Sequence, residues 1–334
     1  MKNLIYFILS RFIKCSGINN KNGGFTLIEL LVAMVLAVLV ITPLMIFMIN
    51  IMDTDQKQQA KATTEQEIQA AQDYISRDME QAIYIYDSDG LTRNNNSTTI
   101  TSSGIKDQIP PVKGAPNCNS SNTSNCTPVL VFWKREFVAN SVGVTSKTDT
   151  TKDDGFTYSL VAYYLITNPS GTSPWSSSAR IARFQIRGPV NLANADANND
   201  NVTNDSNSNE KVDIGYNPPP LGANGAALKE KMNQWKTSLA ATGSYTQRVE
   251  TLIDYISTSG PLVTPCSTPK LIGTTTSGFF ACVDANEILA QVYIRGNAFI
   301  RLKNNNSLSY SQANSAYFPS VSNRIQGRGF IYTK

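Results

Sequence analysis

An isolated acid near the N-terminus is the residue with the clearest chemical requirement in this chain. Glu29 is the only ionisable residue between Phe25 and Met52, in an otherwise largely apolar run. A charged side chain at the centre of a membrane span costs about 2.5–3.5 kcal/mol on insertion scales, and less near the edge. Glu29 therefore needs a cationic partner. Cleavage between Gly24 and Phe25 would create one, because Phe25 of a neighbouring subunit would then carry a free amine.

The element that positions Glu29 is predicted to be a membrane-spanning helix. A helix over residues 25–52 is roughly 42 Å long, which is enough to cross the hydrocarbon core of a bilayer. A plain signal anchor and a cleaved secretory signal are the alternatives. The pair Gly23-Gly24 argues against both, because it precedes the apolar run instead of following it. Pro43, inside the run, predicts a kink or local melting of the helix.

Residues 24–33, with the sequence GFTLIELLVA, resemble the prepilin cleavage and methylation motif of type IV pilins and type II secretion pseudopilins. The resemblance implies that a prepilin peptidase cuts between Gly24 and Phe25 and N-methylates Phe25. It gives Glu29 the intersubunit role described above. Residues 1–24 are then the prepilin leader, which is longer than many family leaders and has an apolar patch of its own at residues 4–13.

Residues 53–86 are predicted to continue the helix as an amphipathic segment. Apolar side chains recur there in steps of three or four, which marks one face of a helix. They are Ile68, Ala71, Ile75, Met79, Ala82 and Tyr86. The spacing predicts one helix from about Phe25 to Tyr84. The expected fold class is α+β: a type IV pilin-like lollipop, with this helix packed on an antiparallel β-sheet head that carries a helical insertion.

Residues 87–334 are predicted to form a β-rich head with insertions at 191–257. The pattern gives a polar loop at 87–124 and strands at 129–138, 156–167 and 179–187. A helical insertion is expected at 225–257, from the spacing of two sets of apolar residues. They are Leu228, Met232, Trp235 and Leu239, then Val249, Leu252, Ile253 and Ile256. Residues 287–303 predict strands broken at Gly296.

Three further resemblances concern the subtype. Residues 73–82 are similar to the corresponding stretch of larger minor pilins and J-type pseudopilins. The tail at 317–330, with Arg324 and Arg328, is similar to the closing segment of W-type minor pilins. Together with the Asn-rich head, the tail resembles cyanobacterial hormogonium polysaccharide secretion pseudopilins.

The cysteines predict disulfides in an exported chain. Five cysteines become four when Cys15 leaves with the leader, and an even count outside the cytoplasm favours pairing. Of the three possible pairings, the sequential one, Cys118–Cys126 and Cys266–Cys282, closes the shortest loops and is the one we predict. Buried or reduced thiols are the alternative, because spacing alone does not establish connectivity.

An Asn/Asp-rich segment at 191–210 contains a weak calcium candidate. Asp196, Asn198 and Asp200 have the spacing of the first oxygen ligands of a calcium loop. However, Asn201 stands at the sixth position instead of Gly, and Asn207 stands at the twelfth instead of the bidentate Glu. A solvated loop without metal is the default interpretation. We therefore expect no cofactor, with calcium as the one candidate.

Charge and composition narrow the function classes. The chain has no histidine, which removes the commonest general base and metal ligand. The leader holds four basic residues and no acid, so its removal leaves 29 − 4 = 25 basic residues against 25 acidic ones. A neutral mature chain gives no electrostatic reason to expect nucleic acid as a partner.

These observations predict a structural subunit and not an enzyme. The expected function is that of a minor pilin or pseudopilin in a type IV pilus-related machine serving pilus assembly, secretion such as polysaccharide export, or motility. The expected partners are the prepilin peptidase, other pilins and an inner-membrane assembly platform. The chain would be a single-pass inner-membrane protein with a periplasmic head, moving later into a pilus or to the cell surface. The alternative is a tip adhesin that binds a surface glycan or polysaccharide, which exposed aromatic residues such as Trp175 and Trp235 in a concave site would support. An anchored hydrolase is disfavoured, since the chain has no histidine and no nucleophile motif.

Overall fold

The computed structural model describes residues 26–119, 126–143, 152–167, 174–190, 212–222, 227–263, 265–266, 270–302 and 309–328. The chain divides into two compact units, Met1–Asp55 and Gln56–Lys334. A long helix, α1 (Leu27–Glu80), contributes residues to both of them. A long helix followed by antiparallel sheets confirms the predicted α+β class.

The C-terminal part of α1 is amphipathic, as its sequence predicts. Its buried side chains lie three or four residues apart and form one stripe. They are Ala60, Thr64, Ile68, Ala71, Gln72, Ile75, Asp78 and Met79. Ile75 and Met79 are fully buried. This stripe is therefore part of the core of the Gln56–Lys334 unit.

The helix ends at Glu80, earlier than the spacing predicts. Residues Ala82–Ile85 form strand β1 instead, and they pair with the neighbouring strand β2. The physical reason is local composition: Ile83, Tyr84 and Ile85 are β-branched or aromatic residues, which favour a pleated surface that is covered on both faces. Ala82 and Tyr86, the last two residues of the predicted apolar face, are buried, but they lie beyond the end of the helix.

The first sheet has five antiparallel strands in the order β1-β2-β3-β4-β5. Its further strands are β2 (Cys126–Gly143), β3 (Lys152–Thr167), β4 (Ala179–Arg187) and β5 (Glu250–Ile256). The strands predicted at 129–138, 156–167 and 179–187 are thus confirmed, and the first two are longer than predicted. Adjacent residues of β2 point to opposite faces: Lys134 contacts α1, while Trp133 packs against Tyr86 and Trp235 on the other side.

The helical insertion predicted at 225–257 is mostly wrong. Within the described residues 227–257, the one α-helix is the five-residue α3 (Leu228–Met232), and Glu250–Ile256 is the strand β5. The register explains the misleading spacing. Ile253 lies opposite Ile181 and Ile256 lies opposite Ala179, so the strand is irregular at this point. Such a bulge separates two inward-facing residues by three positions, which imitates helical spacing.

The polar segment after β1 is more ordered than a loop. It contains helix α2 (Ser88–Thr92) and a 3₁₀ turn, Ile100–Ser102. Leu91, Ile105 and Ile109 from this segment are buried in the core. The segment thereby helps to cover the face of the first sheet that carries Trp133.

The second sheet has four antiparallel strands in the order β6-β7-β8-β9. They are β6 (Leu271–Ile272), β7 (Phe279–Asp284), β8 (Leu289–Arg295) and β9 (Ser320–Gln326). Between β8 and β9, helix α4 (Ala298–Leu302) and a 3₁₀ turn (Gln312–Tyr317) follow.

Of the strands predicted before and after Gly296, the one before it is confirmed and the one after it is wrong. The structure has a strand before this glycine and helix α4 after it. Asn297 starts α4, because its side-chain oxygen accepts a hydrogen bond from the Phe299 amide at 3.1 Å. Gly296 itself lies against α1: an added Cβ would come within 2.4 Å of Thr64 Cγ2.

Candidate functional site: the N-terminal helix and the ion cluster at its end

The first turn of α1 places Glu29 at the start of the helix. The Glu29 amide donates to the Thr26 carbonyl at 3.0 Å and to Thr26 Oγ1 at 3.3 Å, so Thr26 acts as the helix cap. An acid in the first turn also complements the helix dipole. Gly24 and Phe25 lie outside the described residues, so cleavage and methylation there remain predictions.

The apolar part of α1 is entirely uncovered within the chain. Every residue from Thr26 to Gln56 is exposed. Large apolar side chains are exposed along the whole stretch, from 83% at Leu27 to 51% at Met52. A contiguous apolar surface of this size is not stable in water, and it marks a membrane or protein interaction site. Among the described residues, α1 is the one helix that is long and apolar enough to cross a membrane.

Two threonine hydroxyls in this part of α1 are satisfied by the helix itself. Thr42 Oγ1 donates to the Val38 carbonyl and Thr54 Oγ1 donates to the Asn50 carbonyl, each at 2.8 Å. Backbone hydrogen bonding inside one segment is what a hydrocarbon environment requires. Pro43 lies inside the continuous helix, so the local melting considered from the sequence is not observed.

Asp78, in the last turn of α1, is the centre of a buried ion cluster. Its Oδ1 accepts a hydrogen bond from Lys134 Nζ of β2 at 2.8 Å. Its Oδ2 accepts from Tyr163 Oη of β3 at 2.7 Å and from Arg183 Nε of β4 at 2.8 Å. One carboxylate thus joins the helix to three adjacent strands.

The cluster continues through Glu136 on β2. Lys134 Nζ also donates to Glu136 Oε1 at 3.0 Å, and Ser159 and Gln185 both donate to Glu136 Oε2 at 2.9 Å. Gln185 in turn accepts from Arg183. Two carboxylates and two cations therefore balance in charge, and each charged group has several partners.

The electrostatics of the cluster favour the ionised carboxylates. Burial alone would raise the pKa of the Asp78 carboxyl, but the hydrogen bonds and charges of Arg183 and Lys134 outweigh it and hold that pKa below its ordinary value. Burial also opposes ionisation of Glu136, and the charge of Lys134 with the donors around it holds the Glu136 pKa below its ordinary value. For Tyr163, burial first and the Asp78 charge second raise the pKa, so its hydroxyl stays protonated and donates.

Sequence reasoning did not single out Asp78, Lys134 or Arg183 as site residues. A signal was nevertheless available, because Asp78 lies three residues after Ile75 and next to Met79, within the apolar stripe of the helix. An acid at an inward position requires a buried cation. Its partners on separate strands were not predictable without the register of the sheet.

The disulfide prediction is confirmed. Cys118 is bonded to Cys126 and Cys266 to Cys282, with Cα–Cα distances of 5.9 and 6.0 Å. The first bond is buried and joins Cys118 to the first residue of β2. The second ties the segment before β6 to the central strand β7.

The residues proposed for ligand binding do not form a common site. Trp235 is 2% exposed, its ring packs edge-on against Trp133, and its Nε1 donates to the Asn217 carbonyl at 2.8 Å. Trp235 is therefore a core residue. Trp175 is 42% exposed and lies near the Arg180 guanidinium. The two tryptophans therefore do not provide the exposed aromatic site that would support the adhesin alternative.

The calcium candidate Asp196, Asn198 and Asp200 lies outside the described residues. Within the described part of the chain, no group of three or more His, Cys, Asp or Glu side chains is arranged to hold a metal ion. Calcium binding at 191–210 stays a prediction.

Comparison with known families gives one match, and it falls on the N-terminal segment. The family described as the prokaryotic N-terminal methylation motif matches residues 19–45. The match includes Gly24, Phe25 and Glu29. Comparison with curated proteins and with solved structures finds no match. The N-terminal segment therefore carries a prokaryotic N-terminal methylation motif, in agreement with the resemblance to type IV prepilins that its sequence shows.

Proposed function

We propose that this chain is a minor pilin or pseudopilin, a structural subunit of a type IV pilus-related machine that is processed by a prepilin peptidase. The observation that carries the proposal is Glu29, the single ionisable residue in the exposed apolar run of α1 from Leu27 to Met52, within the matched methylation motif. The machine serves pilus assembly, secretion such as polysaccharide export, or motility.

In this proposal α1 has two successive environments. Before assembly, residues 25–52 span the inner membrane, with the Gln56–Lys334 unit in the periplasm. After cleavage, the same residues pack against the helices of other subunits. Burial of their apolar surface drives assembly. The neutral ion pair between Glu29 and the Phe25 amine of a neighbour removes two charges that are each costly in that environment.

The role is structural. The described residues are arranged for packing and for charge balance: Asp78 and Glu136 are held ionised by permanent partners and are not poised for proton transfer. A general base needs a pKa near the working pH. The chain also has no histidine to supply one.

Processing is tested by mass spectrometry of the protein purified from cells that contain the prepilin peptidase. We expect the mature chain to begin at N-methylated Phe25. Gly24→Leu should keep the leader, because a bulky side chain does not fit where a glycine is cleaved, and essentially all of the protein should remain precursor. Asn22→Ala, two residues upstream, is the matched control and should be processed as the wild type is. A first residue other than Phe25 would contradict the proposal.

A further inference from the structure

One face of the second sheet carries polar and aromatic side chains that have no part in the proposed assembly through α1. The register places Phe280 of β7 opposite Tyr293 of β8, and Tyr293 opposite Ser322 of β9. Arg295 lies opposite Ser320 in the same way. Because side chains two residues apart share a face of a strand, these five residues lie on one side of the sheet.

This face forms one wall of a cleft of about 490 Å³. The opposite wall is a proline-rich segment that contributes Pro261, Val263 and Pro265. The rings of Phe280 and Tyr293 are stacked, with centroids 4.6 Å apart and planes within 10°. The cleft therefore has an aromatic floor and a stiff rim, and its volume is in the range of small-molecule sites.

Arg295 is a buried cation in the wall of this cleft. It is only 8% exposed. Its contacts are one long hydrogen bond, from Nη1 to the Ser277 carbonyl at 3.5 Å, and the Tyr310 ring, whose centroid is 5.8 Å from Cζ. Among the described residues, no carboxylate forms an ion pair with it. This sets it apart from Arg183, which has Asp78 as a partner.

Within the described part of the chain, no negatively charged group compensates the positive charge of Arg295. Burial lowers the pKa of the guanidinium, and Tyr310 opposes that effect only in part. An arginine nevertheless stays protonated in proteins. A buried charge without a partner is expensive, and a bidentate carboxylate is the ligand that best matches the planar guanidinium.

Gly260 is in close contact with this guanidinium. A Cβ on Gly260 would lie 1.6 Å from Arg295 Nη1 and 2.5 Å from Arg295 Cζ, so the guanidinium lies directly against this glycine. Gly260 directly precedes the proline-rich wall. The Arg295 guanidinium thus lies beside the start of the segment that forms the proline-rich wall.

We propose that this cleft binds a carboxylate-bearing saccharide. Arg295 takes the carboxylate, the hydroxyls of Ser320 and Ser322 bond the sugar hydroxyls, and Tyr293 packs against the apolar C–H face of the ring. The combination of cation, hydroxyls and aromatic floor favours an acidic sugar over a purely apolar ligand. This inference goes beyond the proposed assembly role and does not depend on it.

Binding is tested on the full chain in detergent micelles by saturation-transfer NMR and by thermal shift. The probe is glucuronate, with glucose as the neutral match and end-blocked aspartate as an acidic non-sugar. We expect glucuronate to bind at millimolar concentrations and glucose to bind at least about tenfold more weakly. Equal binding of glucose, equal binding of the blocked aspartate, or no binding of glucuronate would each overturn the proposal.

Variants then locate the site. Arg295→Gln should weaken glucuronate binding by at least about tenfold, while Arg248→Gln, which removes an exposed arginine outside the cleft, should leave it unchanged. Ser322→Ala is a second variant at an exposed position that does not endanger folding. It should weaken binding about two- to tenfold through the loss of one hydrogen bond. Unchanged affinity in folded Ser322→Ala and Arg295→Gln would place any binding elsewhere and refute this site.

Discussion

At the scale of single residues, Asp78 determines how the end of α1 is attached to the first sheet. Its carboxylate is bonded to side chains from β2, β3 and β4. A buried ion pair adds little net stability compared with a well-packed apolar replacement, but it specifies one arrangement of its partners. The cluster therefore fixes the register of the helix against the strands more than it adds to the free energy of unfolding.

Asp78→Asn should destabilise the Gln56–Lys334 unit by about 3–5 kcal/mol, because Lys134 and Arg183 would keep buried charges without their carboxylate. The measurement is chemical denaturation followed by circular dichroism. Asp73→Asn removes an exposed acid from the same helix and is the matched control. Its effect should stay within about 0.5 kcal/mol. Equal stability of the two variants would show that the cluster is not essential to the fold.

The same cluster predicts that the unit loses stability in acid. The pKa values of Asp78 and Glu136 are lowered in the folded state from 3.8 and 4.5, so the unfolded chain binds protons first as the pH falls. The stabilisation is complete above these ordinary values and is lost as the pH falls through the lower, folded-state values. Denaturation midpoints measured at a series of pH values should show this decline. The decline should be smaller in Asp78→Asn, and an identical pH profile for that variant would contradict the assignment.

At the scale of elements, the two parts of α1 serve different surroundings. The stripe from Ala60 to Met79 is buried in the core, whereas Leu27–Met52 is exposed throughout. One continuous helix thus carries a packing face in its later turns and an apolar surface on all sides in its earlier turns. A helix that is apolar all round belongs in a membrane or in the interior of an assembly.

Ile75→Ala should lower the free energy of unfolding of the Gln56–Lys334 unit by about 2–5 kcal/mol, because it leaves a cavity at a fully buried position. Leu36→Ala makes a similar truncation at a position that is 56% exposed within the apolar run, and it should leave that free energy unchanged. Denaturation of the two purified variants in detergent tests the difference. A loss of similar size in both variants would mean that the apolar run supports the fold of the unit.

Some elements of the fold could be predicted from the local sequence, and others could not. Strands β2 and β3 were predictable because β-branched and aromatic residues are frequent in them, and β4 because its apolar residues largely alternate with polar ones. Strand β5 was not, since a bulge opposite Ile181 spaces Ile253 and Ile256 as a helix would. Strand β1 was missed because its pairing partner lies some fifty residues further along the chain. The cleft beside Arg295 depends on Gly260 and on the order of the second sheet, neither of which can be inferred from spacing.

At the scale of the whole molecule, the proposed cleavage after Gly24 would change both the charge and the N-terminal end of the chain. The precursor has a formal charge of +4, and loss of Lys2, Arg11, Lys14 and Lys21 brings the side-chain balance to zero. Positive charge at the start holds that end on the cytoplasmic side of a membrane. Its removal leaves Glu29 and the new amine as the charges at the start of the apolar helix.

Glu29→Ala should leave the protein stable in the membrane and reduce its incorporation into fibres by about tenfold or more, because the amine of a neighbouring subunit loses its partner. The measurement is the ratio of assembled to membrane-bound protein on immunoblots of sheared and membrane fractions. Asp55→Ala, beyond the apolar run, is the control and should assemble normally. Normal incorporation of Glu29→Ala would exclude the intersubunit pairing.

The attachment of Asp78 to three neighbouring strands has a mechanical consequence. Because one carboxylate is bonded to β2, β3 and β4, a force that pulls along α1 loads all three of these charge-assisted bonds at the same time. The load then spreads over hydrogen-bonded strands that run antiparallel. A subunit held in this way resists extraction by tension at neutral pH and yields at a lower force once its carboxylates are protonated.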